Sequence, residues 1–272
     1  MPCRRAGRIS TCDTAMHYVR HGRGHELLLL HGLGGSSGSW APIFDALSSE
    51  RTLFAVDLPG FGQTPPLQGP VSLHALADAV TSFLSSHGLT GVNAVGSSMG
   101  AQLVLELARR HAVGKVVSLN PGGFWSAWEQ RLFFLSVAAS IRLARQLERF
   151  LPALIGNPVT RTLFLAQFSP RPWRLSPHMV LDEIRRYIAA PSFDDMLHHL
   201  ANAGPQQGAP KGTMNPIVIG WGRSDRVCFP RQAARALAAF PDAKIHWFDR
   251  CGHFPHWDVP SLTVELILDS TN

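Results

Sequence analysis

The amino-acid sequence predicts an α/β fold: a mostly parallel central sheet flanked by helices, with a helical block inserted into it. Three features predict it. Along the first 121 residues, short apolar runs that break into Gly, Pro or Asp alternate with amphipathic stretches of helical period. The same alternation resumes near residue 211. In between, residues 122–210 carry helical signals interrupted by proline and no buried parallel strand. The expected organisation is a core of residues 1–121 and 211–272 with an inserted helical cap or lid, 122–210. Such a block covers the carboxyl edge of the sheet, where ligands bind in open α/β folds.

Taken in order, "AMHYVRHG" alternates like a half-buried strand and turns at Gly22 to Gly24. "HELLLLHG" is a short apolar run ending in glycine, the pattern of a buried parallel strand. "SWAPIFDALSS" spaces Trp40, Ile43, Phe44 and Leu47 for one helix face, with Ser39 as N-cap. "RTLFAVDLPGFG" is a second buried strand running into a Pro/Gly loop. The following helix, "SLHALADAVTSFLSSHG", starts at Ser72 and is closed by Gly88. "GVNAVGSSMGAQLVLELARRH" reads as strand, sharp turn and helix, and "KVVSLN" as the next strand. In the inserted block, "WEQRLFFLSVAASIRLARQLERFL" is one long amphipathic helix or two. Ser176 with Pro177 opens "SPHMVLDEIRRYIAA", and Ser192 with Asp195 resembles a capping box for "SFDDMLHHLANAG". "GPQQGAP" links back to "NPIVIGWG", "PRQAARALAAF", "AKIHWFD" and a final helix "SLTVELILDS".

Composition narrows the function. Hydrophobic residues make up 45% and charged residues 16%, which suits a globular enzyme and excludes a disordered chain. The net charge of +6 is dispersed, with small clusters at Arg4, Arg5 and Arg8 and at Arg185 and Arg186. Without interleaved aromatics or a binding module, it argues against a nucleic-acid partner. The longest apolar stretch, "LFFLSVAASI", is too short for a membrane span and is flanked by Arg131 and Arg142. "MPCRRAGRIS" has positive charge but no apolar region behind it, so the expected location is cytoplasmic, without a stable membrane anchor. Cys3, Cys12, Cys228 and Cys251 have no metal-ligand spacing and are expected to be free thiols.

Two stretches match Gly-x-Ser-x-Gly: Gly34 to Gly38 around Ser36, and Gly96 to Gly100 around Ser98. The pentapeptide alone is weak, and context separates them. A nucleophilic serine belongs on a tight strand-to-helix turn with its hydroxyl exposed at a helix N-terminus. Ser98 sits between the strand "VNAV" and the helix "AQLVLELARRH". Ser36 is separated from its helix by further Gly and Ser, so a polar loop role is expected for it. Ser97 is expected to support the turn. The stretch "HGLGG", directly after a buried strand, can offer close backbone N–H groups to a developing oxyanion.

A serine nucleophile needs a base, and the base an orienting acid. Of 13 histidines, His253 in "WFDRCGHFPHWD" lies just past the last strand, with His256 as its rival in the same loop. Asp225, in "IVIGWGRSDRVCFP", follows a buried strand by a short turn; Asp57 and Asp249 are the other acids at strand ends. Asp249 is too near His253 in sequence to orient its ring. His198 and His199 with Asp194 and Asp195 point to two faces of a helix rather than to a metal.

These residues carry a resemblance. "HGLGGSSGSW", "DLPGFGQT", "GSSMGA", "GRSD" and "GHFPHWDVP", with the order Ser98, Asp225, His253, make the chain similar to the α/β-hydrolase fold family, among its serine esterase-like members with a helical cap. The resemblance implies Ser98, Asp225 and His253 as catalytic triad and the backbone amides of Leu33 and Met99 as oxyanion hole. It implies substrate contacts from the cap, with His31, Gly32, Phe124, Trp125, Val227 and Phe254 expected around the pocket. Neither a metal nor another cofactor is expected. Family members that open epoxides or cleave carbon–halogen bonds carry Asp where this chain has Ser98. The implied reaction is cleavage of a small to medium apolar ester through an acyl-enzyme, the partner being that small-molecule substrate. Alternatives on the same triad are carbon–carbon bond hydrolysis of aromatic ring-cleavage products, perhydrolysis, acyl transfer, and a ligand receptor with residual activity. The carbon–carbon hydrolases usually carry Asn and Trp where this chain has Ser97 and Phe254. Nine Arg against six acidic residues in 122–210 read as a solvated face.

Overall fold

A computed structural model describes residues 16–272. Cys3, Cys12, the cluster Arg4, Arg5 and Arg8 and the N-terminal stretch lie outside the described residues. Among the described residues, seven strands form one sheet in the order β1-β3-β2-β4-β5-β6-β7. They are β1 (Tyr18–Gly22), β2 (Glu26–Leu30), β3 (Thr52–Val56), β4 (Asn93–Ser97), β5 (Val116–Leu119), β6 (Ile217–Gly222) and β7 (Lys244–Phe248). Only β1 runs antiparallel, pairing Tyr18 with Val56 through Gly22 with Thr52. The parallel strands coincide with the apolar runs because both their faces are covered: Leu27, Leu28, Leu29 and Leu30 of β2 are all fully buried. β1 departs from the half-buried strand the sequence suggested, since Val19 to Gly22 are exposed on the sheet edge. A single covered neighbour leaves that face to solvent.

Helices α1 (Ala41–Ser48), α2 (Leu73–Ser86), α3 (Met99–Arg109), α9 (Ala233–Ala239) and α11 (Pro260–Ser270) flank the sheet, with a short α10 (Pro255–Asp258) before the last. Between β5 and β6 stand α4 (Ala127–Gln146), α5 (Leu151–Gly156), α6 (Pro158–Leu165), α7 (Pro177–Ala189) and α8 (Phe193–Asn202). The long amphipathic stretch thus forms α4 and a 3-10 turn over Glu148–Phe150, ending at Leu151 where α5 begins. Among the described residues, no helix is long and apolar enough to cross a membrane.

Caps follow local chemistry with two corrections. Ser72 and Ser176 accept from the third residue onward, as expected. Ser39, however, does not cap α1. A 3-10 turn over Ser37–Trp40 precedes that helix, and Ser36 caps it in a reciprocal box with Ser39. Ser36 therefore has a structural task in its loop. Ser192 precedes α8 without a side-chain cap bond, so no capping box forms there.

The inserted helices are joined to the core by buried charge. Glu129, near the start of α4, accepts from Arg231 at 2.6 Å and from Arg235. Glu183 of α7 is 3% exposed and accepts from Ser39 Oγ and from Arg186, each at 2.6 Å. Burial raises the Glu183 carboxyl pKa above its ordinary value, against the opposing pull of Ser39 and Arg186.

Close packing of α3 on the strands sets the turn that carries Ser98. A Cβ on Gly100 would lie 2.2 Å from the Leu30 carbonyl oxygen, and one on Gly96 would lie 2.1 Å from that of Gly100. These neighbours are backbone and cannot swing aside. Gly100→Ala is expected to lower stability by at least about 2 kcal/mol, read from urea unfolding; a change within about 0.5 kcal/mol, ordinary for a surface site, would contradict this packing.

Candidate active site

The ends of β2, β4, β6 and β7 on the carboxyl side of the sheet supply the site, β2 and β4 meeting where the strand order reverses. Ser98 follows β4 and precedes α3, with its backbone at φ 56° and ψ −113°. This sparsely populated conformation aims the hydroxyl out of the turn. His253 Nε2 lies 2.8 Å from Ser98 Oγ, and its Nδ1 lies 2.9 Å from Asp225 Oδ2. The second Asp225 oxygen accepts from the amides of Val227 and Cys228 at 2.8 and 3.0 Å. Asp225 and His253 are each 2% exposed, while Ser98 is open to a cavity. These donors hold the Asp225 carboxylate in one orientation, an arrangement that suits an imidazole with its proton on Nδ1 and Nε2 as the acceptor facing the serine.

Asn120, which sequence reasoning passed over, braces this arrangement. It stands just after β5 at φ 51°. Its amide donates to Asp225 Oδ2 and, at 3.0 Å, to the Gly252 carbonyl, while its oxygen accepts from Gly222 at 3.2 Å. The histidine loop is also tied to the inserted segment. His253 donates its backbone N–H to the Phe168 carbonyl at 2.7 Å. Asp258 accepts from Ser169 Oγ at 2.5 Å and from the Gly252 amide at 2.7 Å.

Leu33 and Met99 both line the cavity beside Ser98. Among the described residues, neither of their amides donates to a protein acceptor. Met99 is the first residue of α3, where helix geometry leaves the N–H without an intrahelical partner. A Cβ on Gly32 would lie 3.2 Å from Ser98 Cβ, so glycine there lets the loop approach Ser98. Asp57 anchors the same loop, accepting from the Ser37 amide at 2.6 Å, the Gln63 amide at 2.9 Å and His17.

The cavity holds about 230 Å³. Trp125, Val227 and Phe254 line it. His31, Gly32 and Phe124 do not. His31 is fully buried beneath the loop, donating from Nδ1 to the Gly32 carbonyl and accepting from the Leu58 amide at Nε2. Phe124 packs edge-on against Phe240. Ser97 is buried and its hydroxyl has no partner, so it gives the turn no hydrogen bond.

The rival residues are placed elsewhere. His256 is buried against Trp40 and lies outside the cavity lining. Asp249 is exposed and pairs with Arg223. Asp194 pairs with Arg145, and His198 stands exposed against Phe134. Among the described residues, one group of side chains is close enough to hold a metal ion: Asp225, Cys228 and His253, with donor atoms within 4.8 Å. Two of the three are already hydrogen-bonded to each other, and burial pushes the Cys228 thiol well above its usual range, keeping it protonated.

With this geometry described, similarity to known proteins assigns the family. The model of the Alpha/beta hydrolase family matches residues 27–266. The chain belongs to that family. It is 27% identical over 266 residues to a 2-hydroxy-6-oxononadienedioate/2-hydroxy-6-oxononatrienedioate hydrolase of Pseudomonas putida, covering 94% of this chain and 91% of that one. It is 30% identical over 251 residues to the dihydrolipoyllysine-residue acetyltransferase component of the acetoin cleaving system of Cupriavidus necator, covering 88% of this chain and 61% of that one. Among solved structures, a thermophilic esterase from Thermogutta terrifontis aligns with a TM-score of 0.73 at 18% identity, covering 93% of this chain and 92% of that one.

Two buried histidines give this hydrolase a pH signature. Burial pushes His31 down to about 4 and His256, with a further push from His253, down to about 3. Unfolded, each titrates near its ordinary value of about 6.5. Between those values the unfolded chain binds more protons, so stability falls as pH drops below about 6.5, by about 2 kcal/mol per histidine at pH 5. In urea unfolding, His256→Gln is expected to shrink the loss between pH 7 and 5 by about 2 kcal/mol; an unchanged loss would contradict its buried, neutral state.

Proposed function

We propose that the protein is a serine hydrolase that cleaves carboxylic esters through an acyl-enzyme on Ser98. The observation that carries this reading is the unbroken hydrogen-bonded chain from Ser98 Oγ through His253 to Asp225, opening on a cavity at Ser98. His253 Nε2 takes the hydroxyl proton as Ser98 attacks the ester carbonyl. The oxyanion accepts from the Leu33 and Met99 amides. His253 then protonates the leaving alcohol. In the second half, His253 activates a water that releases the acid and restores Ser98. Asp225 holds the imidazole orientation throughout.

The substrate is apolar over most of its length. Phe133, Val137, Ile141, Leu165 and Phe193 line the cavity from the inserted helices, which act as a cap of residues 122–210. Similarity to the Pseudomonas putida hydrolase favours a second reading, hydrolysis of a carbon–carbon bond in a ring-cleavage product. That relative's named substrates are dioates and carry two carboxylates. Among the described residues lining the cavity there is no Lys or Arg to pair with them. An unpaired buried carboxylate is strongly disfavoured, so the ester reading is preferred.

Ser98→Ala and His253→Ala are each expected to lower kcat on p-nitrophenyl esters by up to about a millionfold, and only Ser98→Ala to abolish fluorophosphonate labelling outright. Near-normal turnover in either variant would overturn the mechanism. Faster turnover of a vinylogous diketone than of any ester would select the second reading.

A further inference from the structure

Two polar atoms in the cavity wall are buried without a hydrogen-bond partner, Gln102 Oε1 and the indole Nε1 of Trp125. Their residues are 3% and 9% exposed. Two other polar side chains of that wall are engaged, Ser98 with His253 and Gln167 with Ser136. A buried polar group without a partner has given up its hydration for nothing. Two of them in one apolar wall mark a place where a polar group of the substrate belongs.

Their position relates this place to the chemistry. Gln102 lies one helical turn beyond Ser98 on α3, its amide donating to the Ser98 carbonyl at 3.0 Å. Residues four apart share a helix face, so the Gln102 side chain stands beside the nucleophile. Gly122 packs against both side chains, meeting the six-membered ring of the indole. A Cβ there would be 2.9 Å from the Trp125 ring and 3.3 Å from Gln102 Oε1. Stacking on Phe133, with centroids 4.8 Å apart, fixes the plane of the indole. Leu143 and Leu163 also line the cavity and are 45% and 75% exposed, which marks its mouth. The alcohol of an ester leaves before the acid in an acyl-enzyme mechanism, so the alcohol belongs at the mouth and the acyl group at the buried end.

We propose that Gln102 and Trp125 form a polar subsite for a hydroxyl group on the acyl part of the substrate, making the preferred substrates hydroxyacyl esters. The indole N–H can only donate, and the glutamine amide can present either its oxygen or its nitrogen. A hydroxyl both accepts and donates, and so pairs with both. This inference rests on the ester reading and names its substrate class.

The test compares p-nitrophenyl 3-hydroxybutyrate with p-nitrophenyl butyrate, with kcat/KM expressed per site titrated by fluorophosphonate. The ratio of the two is expected to fall about tenfold in Gln102→Leu and to fall also in Trp125→Phe. An equal ratio in all three enzymes, or an equal loss on both esters, overturns the subsite. Calorimetric binding of 4-hydroxypentan-2-one against pentan-2-one needs no turnover. The hydroxyketone is expected to bind the wild-type protein about tenfold tighter, with the advantage lost in Gln102→Leu. Equal affinities overturn the subsite. A retained hydroxyketone preference with no ester cleaved supports the subsite and overturns the ester reading instead.

Discussion

The backbone of Ser98 is held at φ 56° and ψ −113°, a conformation that costs on the order of 1–3 kcal/mol for a residue with a side chain. Packing on both sides keeps it there. Gly96 and Gly100 have no room for a Cβ, so α3 presses directly against β4 and the end of β2. That close approach brings the first amide of α3 and the loop after β2 next to the serine, in the lining of one cavity. The strained turn and the two candidate oxyanion donors are therefore consequences of one packing constraint.

A second constraint spans the chain. Asn120 after β5 bridges Asp225 after β6 and Gly252 after β7, so the acid and the histidine loop share one brace. Phe168 and Ser169, from the inserted segment, hold the same histidine loop through its backbone and Asp258. Glu183 holds α7 against the loop of Ser39. The inserted helices thus contact both the histidine loop and the loop opposite Ser98. Changes in their seating are transmitted to the two sides of the site through named hydrogen bonds.

Much of this was legible in the sequence because it is local. A buried parallel strand is an apolar run, and a tight strand-to-helix turn requires small residues at fixed spacing around Ser98. Local chemistry also separated Ser98 from Ser36, though Ser36 proved to cap a 3-10 turn that the pattern did not reveal. What was missed depends on contacts between distant segments. Asn120 is an ordinary strand-end residue until Asp225 and Gly252 arrive beside it, and Gln102 reads as one polar position in a helix. His31 and Phe124, which the family resemblance places around the pocket, lie outside its lining. The direction of a side chain after a strand end is set by what packs behind it, here Leu58 and Phe240. A positive φ at Asn120, an uncommon conformation outside glycine, is a structural mark that no spacing rule announces.

The proposed ester cleavage runs through a covalent intermediate on Ser98 with His253 as the base. Rapid acid quenching during turnover of p-nitrophenyl butyrate, followed by peptide mass spectrometry, tests it most directly. The account predicts a butyryl adduct on the peptide containing Ser98, accumulating in a burst that equals the enzyme concentration. Steady ester turnover with an unmodified Ser98 peptide, or an adduct on another residue, would contradict it.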